Sequence, residues 1–214
     1  NCYAEARNAR FHARADGGPS HRGPSAQRLM RSPAYWKQPE KWNREAKRDG
    51  VRRRVFCASL ADVFEDRPEL VDTRARLFQL IEECDGLDWL LLTKRPQNML
   101  RLASVWGDEW PSNVWAGTTV EDQRRGDERN RGLASVPPAV RFLSGEPLIE
   151  AVDLARPDVD WVIVGGESGR GARPFHVEWA ADIVKSCRAV GAAPFVKQMG
   201  ARPFDGARML SLRD

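Results

Sequence analysis

Six times along the chain a short apolar run stops abruptly in charged or small polar residues, at 55–59, 89–93, 114–118, 140–144, 161–164 and 194–197. Strands covered on both faces read as unbroken apolar runs of this kind, which is how parallel sheets look in sequence. The runs predict strands at 53–59, 88–93, 113–118, 140–144, 160–164 and 193–198, with helices at 68–84, 96–104, 122–133 and 176–190. Pro68 suits a first helical turn, and Gly86 and Gly191 lie just past helix ends. Strand and helix alternating at this spacing imply parallel pairing through right-handed crossovers. The expected fold is therefore α/β: a partial or closed β/α (TIM-like) barrel of parallel strands. A doubly wound sheet is the runner-up. Polar residues at nearly every strand tip favour the barrel, because a doubly wound sheet gathers its site at one switch point.

If the strands are parallel, their polar tips share one rim. That rim would carry Asp62, Lys94, Glu121, Glu146, Glu167 and Lys197 as candidate catalytic residues. Ser59, Arg95, Thr118, Gly165, Gly166, Ser168 and Gln198 are candidates for binding substrate or cofactor. Gly165-Gly166-Glu167-Ser168-Gly169 lets a ligand approach the backbone, although a tight β-α turn explains the glycines equally well. Thr93-Lys94-Arg95-Pro96 sets two cations at a tip, suited to phosphate or carboxylate. Pairing with rim carboxylates such as Asp62 or Glu121 is the competing reading. Glu146 and Lys197 facing one another across a mouth would make a general acid/base pair. His12, His21 and His176 lack metal-ligand spacing, and no phosphate loop or nucleophile elbow is present.

The 214 residues suit one domain, with a basic, loop-rich segment at 16–52. Residues 1–54 hold 14 Lys/Arg against 5 Asp/Glu, while the remainder holds 20 against 25. A basic front end fits a nucleic-acid or nucleotide partner, although a solvated surface is the favoured reading of the charge by itself. Four cysteines without a scaffold spacing, no signal peptide and no membrane-spanning apolar stretch point to a reduced, cytoplasmic setting. Residues 2–15 read as a helix opening directly after Cys2. A thiol there feels the positive end of the helix dipole, which favours the metal-ligating thiolate. A lone cysteine is nevertheless no metal site, and an ordinary packed thiol accounts for it.

Several segments occur in an order that resembles a known family. They are Cys2-Tyr3-Ala4-Glu5, Ser59-Leu60-Ala61-Asp62-Val63-Phe64, Leu92-Thr93-Lys94-Arg95-Pro96, Asn113-Val114-Trp115-Ala116-Gly117, Phe142-Leu143-Ser144-Gly145-Glu146-Pro147, Val164-Gly165-Gly166-Glu167-Ser168-Gly169 and Val196-Lys197-Gln198-Met199-Gly200. Together they are similar to the phage-associated three-cysteine-motif family, known from phage gene products thirty-seven and sixty-eight. Members carry three clustered cysteines, the last followed by Tyr-Ala-Glu, and Cys2 matches that last one. The cluster resembles the loop of radical S-adenosylmethionine enzymes, in which three thiolates hold a four-iron four-sulfur cluster on a partial or complete β/α barrel. The resemblance implies that cluster and S-adenosylmethionine as cofactors of the full-length protein, with Cys2 as a metal ligand. It also implies that the first strand and the other two cysteines lie ahead of Asn1. The Gly-Gly-Glu of many such enzymes follows their second strand, so its role is not transferred to Gly165-Gly166-Glu167. The resemblance thus points to an iron–sulfur, radical-type enzyme working at the C-terminal rim. A non-catalytic phage or mobile-element factor with a structural metal, and a metal-independent barrel hydrolase or lyase, are the alternatives.

Overall fold

The computed structural model describes residue 26 and residues 28–211. The predicted helix at 2–15 and Cys2 lie outside the described residues. The chain divides into two compact units, residues 1–41 and 42–214. In the first, α1 (Pro33–Trp36) starts at Ser32, whose hydroxyl accepts the Tyr35 N–H, with a proline at the helix start. Helix α2 (Gln38–Asp49) follows. Within the second unit Asn43 accepts the Gly86 N–H at 2.8 Å and donates to the Glu83 carbonyl at 3.3 Å.

The second unit is built on β1 (Arg53–Cys57), β2 (Leu87–Thr93), β3 (Val114–Thr119), β4 (Val140–Gly145), β5 (Trp161–Gly165) and β7 (Ala193–Gln198). All five pairings in this sheet are parallel, in the order β1-β2-β3-β4-β5-β7. The chain therefore steps across the sheet without turning back. Crossovers of one hand in one direction put every connecting helix on the same face. The sheet curls into a half-barrel, as expected from the strand tips, and the doubly wound order is absent.

The helices cover the outer face. They are α3 (Val71–Glu83), the short α4 (Met99–Leu102), α5 (Gln123–Ala134) and α6 (Val177–Val190). Phe78 and Ile81 of α3, Leu133 of α5, and Ile183 and Cys187 of α6 are buried, as are Trp89, Leu91, Val114, Ala116, Val162 and Val164 from the sheet. Asp122 caps α5 by accepting the Arg125 N–H, and Gly191, in the left-handed conformation, ends α6. The inner face gathers Leu90, Phe142 and Ile163, with Leu92, Trp115 and Trp161 packed against them. Gly117 makes room for the Phe142 ring: a Cβ there would lie 2.5 Å from it.

Three details differ from the sequence reading. The predicted helix 96–104 is a 3-10 turn at Pro96–Asn98, then α4, then a second turn at Ser104–Trp106. The strands β1 and β7, at the two edges of the sheet among the described residues, alternate half-buried and exposed positions rather than being covered on both faces. A second, three-stranded sheet also forms, from β6 (Phe175–His176), β8 (Pro203–Asp205) and β9 (Arg208–Met209).

Candidate functional site

Side chains alternate between the faces of a strand, and parallel neighbours in register share a face. The register links Phe56 to Leu90 to Trp115, Gly117 to Phe142 to Trp161, and Ile163 to Phe195. Counting on by twos from Leu92, Thr119, Ser144 and Phe195 arrives at Lys94, Glu121, Glu146 and Lys197. Lys94, Glu121 and Glu146 continue the inner face just past the ends of β2, β3 and β4, and Lys197 stands in the last turn of the pleat of β7, one residue before its end. The hydrogen bonds agree with that placement: Thr119 Oγ1 donates to Glu121 at 3.4 Å, and Ser144 Oγ to Glu146 at 3.2 Å.

Two carboxylates organise the mouth. Glu121 is bridged by Lys94 Nζ and by Arg129 Nη1, the latter at 2.7 Å, and Arg129 also holds the Thr119 carbonyl and hydroxyl. Burial pushes the Glu121 carboxyl up, but Lys94 and Arg129 together outweigh it and hold the group below the ordinary carboxylate range. Glu146 pairs with Lys197 Nζ at 3.1 Å. That pair joins β4 to β7 across the intervening β5, and Gly165 is what permits it, because a Cβ there would lie 2.9 Å from Glu146 Oε1. In both pairs the carboxylate side chain is mostly covered (14% and 18% exposed), while the lysines are 57% and 54% exposed. The mouth therefore presents ammonium groups to solvent, with the acids beneath them.

Asp62 lies in a separate knot beside β2. It accepts from Thr93 Oγ1 at 2.6 Å, from Arg95 Nη1 at 2.7 Å and from the Phe64 N–H at 3.0 Å. The buried Arg74 clamps the same loop by donating to the carbonyls of Val63 and Glu65. Glu167 is buried and accepts from the N–H and side chain of Arg173, which hold its carboxyl below the ordinary range. Its carbonyl takes the Ala201 N–H, so it staples the loop after β5 to the chain after β7. Gly166 allows this approach: a Cβ would lie 2.5 Å from the Met199 carbonyl oxygen.

The remaining expected residues divide. Thr118 is fully buried on the outer face and donates to the Thr93 carbonyl, so it does not reach the mouth, whereas the adjacent Thr119 does. Gln198 contributes its carbonyl to the Gly166 N–H, and Ser59 and Ser168 are exposed. Arg129, Arg173, Arg74 and Thr119 were absent from the sequence-based set. The lettering of α5 offers four arginines (Arg124, Arg125, Arg129, Arg131), and only the helical phase set by the Asp122 cap selects Arg129.

Among the described residues no group of three His, Cys, Asp or Glu is placed to hold a metal ion. Cys84 and Cys187 are buried, and burial pushes the Cys57 thiol up to about 12. Two shallow depressions of about 250 Å³ lie away from the mouth, one lined by Val152, Trp179 and Asp182, the other by Arg74, Phe78 and Val105. The strand-tip chemistry outweighs them as a site, because the mouth gathers two ion-paired carboxylates and three cations at the ends of the parallel strands. No helix among the described residues is long and apolar enough to cross a membrane.

The chain belongs to the DUF5131 family of proteins of unknown function, whose family model matches residues 1–209. Comparison with curated proteins and with solved structures finds no match.

Proposed function

We propose that this DUF5131 chain is the barrel of an enzyme of the radical S-adenosylmethionine type, binding its substrate over the inner face and reacting at the C-terminal mouth. The observation that carries the reading is the convergence of Lys94, Glu121, Arg129, Glu146 and Lys197 at one end of a parallel half-barrel. A four-iron four-sulfur cluster with S-adenosylmethionine, held by Cys2 and the two thiols implied ahead of it, would supply one-electron chemistry that side chains cannot provide. The chain's own residues bind and orient. Lys94 and Lys197 engage acceptor groups on the substrate, and Arg129 fixes Glu121. The apolar floor excludes water beneath the reacting atoms.

Expression with the native N-terminus under anaerobic conditions tests this directly. Bound iron and sulfide, with S-adenosylmethionine cleaved after reduction and both lost in Cys2→Ala, is the expected result. Preparations that bind zinc and cleave nothing would overturn it. A second reading, a metal-independent lyase or hydrolase, is favoured by the Glu146–Lys197 pair, which is placed to exchange a proton across β5. Turnover that survives Cys2→Ala and fails in Lys197→Met would select that reading.

A further inference from the structure

We infer that the inner face of the half-barrel is a docking platform for single-stranded nucleic acid, with bases stacked on its aromatic floor and phosphates carried by the cations at its margins. Rings rise from alternate strands and from the edge: Phe56 on β1, Trp115 on β3, Trp161 on β5 and Phe195 on β7. Trp115 and Trp161 lie 5.9 Å apart edge to face, and Trp161 and Phe195 lie 6.4 Å apart. Although they pack together, they are not sealed. Phe56 and Phe195 are 46% and 49% exposed, and both tryptophans are half-buried.

The charges complement a polyanion rather than an apolar partner. Arg54 lies 4.9 Å over the Trp115 ring and makes no ion pair among the described residues, leaving a guanidinium plane on which a further base can stack. At the other margin Lys94 and Arg129 set two cations against the single carboxylate of Glu121. Lys197 is exposed above its partner Glu146. Width argues for a strand of several nucleotides over one nucleotide. From β1 to β7 the sheet crosses five strand intervals, about 24 Å before curling at roughly 4.8 Å each. Half-exposed rings between flanking cations are how proteins hold single strands with little regard to sequence.

The inference names the substrate class for the mouth and in that respect rests on the reading above, but binding needs neither cluster nor reductant. The two can therefore fail separately. The test titrates the full chain, without cofactor, with a single-stranded oligonucleotide of about ten nucleotides, within the usual range of site sizes. Tryptophan fluorescence is followed against a matched abasic strand and a matched duplex. The base-bearing single strand should quench the fluorescence and bind at least about tenfold more tightly than either control, as stacking on aromatic rings predicts. Phe56→Ser and Phe195→Ser should each weaken binding by roughly five- to a hundredfold. Lys197→Gln should lower the slope of log affinity against log salt by about 0.7, the value for one phosphate contact on a single strand. Equal affinity for the abasic strand would overturn the inference using unaltered protein alone. So would tighter duplex binding, ring variants that bind like the parent, or a self-association that the ring variants abolish.

Discussion

The two faces of this one sheet are made from similar residues and finished very differently. On the outer face Trp89, Leu91, Val162 and Val164 are sealed beneath helices. On the inner face Phe142 is buried, yet Phe56 and Phe195 remain nearly half in water. Topology produces the contrast, because a sheet laid down in one direction sends all its crossovers to one side. Burying a large apolar side chain is worth about 1.5–3 kcal/mol, so each ring left half exposed forgoes about 1 kcal/mol. The outer face holds the fold together, and the inner face keeps apolar surface free for something else.

Truncation in the outer layer should show the largest effect. Leu91→Ala removes a fully buried side chain from the central part of the sheet and should cost about 2–5 kcal/mol in urea unfolding. A loss below about 1 kcal/mol would mean that the outer face is not the stabilising one. Gly117→Ala probes the buried part of the inner face. Its Cβ would meet the Phe142 ring at 2.5 Å, and overpacking of this kind costs about 1–3 kcal/mol. Neutral behaviour would show that the floor yields easily around Phe142.

The strand interiors were legible in sequence because β2, largely buried along its length, keeps its polar residues to its ends: Asp88 near the start and Thr93 at the tip flank an unbroken Trp89–Leu92 run. The edges were less legible. Val55, Phe56 and Cys57 read as an interior strand, but nothing in their lettering reveals that β1 is an edge of the sheet among the described residues. The rim itself followed from parallel pairing, whereas the face each tip residue takes did not. Thr118 and Thr119 differ only by one step of the pleat, and that step sends the first to the helices and the second to the mouth. Arg129 and Arg173 escaped notice because they lie eight and six positions beyond the acids they hold, at distances fixed by helix phase and loop path. Strands of two or three residues, as in β6, β8 and β9, are too short to carry a period.

Acid should separate the mouth from the rest of the molecule. Glu121 is held below its ordinary value of 4.5, so the folded state binds its proton less readily than the unfolded chain does. Its contribution is present above that value and is lost as pH falls through the depressed folded value. The urea midpoint of the parent should therefore exceed that of Glu121→Gln near neutral pH, with the gap closing below about pH 4.5. A gap independent of pH would show that the carboxylate's charge is not what Lys94 and Arg129 stabilise.

The smallest effect on stability is also the one that tests the comparison most sharply. Phe195→Ser removes a ring that is 49% exposed on an edge strand, so it should lower stability by at most about 1 kcal/mol, near the range of surface substitutions. Serine cannot replace the ring's contact with Trp161, 6.4 Å away between centroids, so tryptophan emission should shift while the unfolding midpoint barely moves. A loss as large as that of Leu91→Ala would mean that the inner face is as structural as the outer. The half-exposed rings would then be the margin of a core, and the contrast between the two faces would collapse.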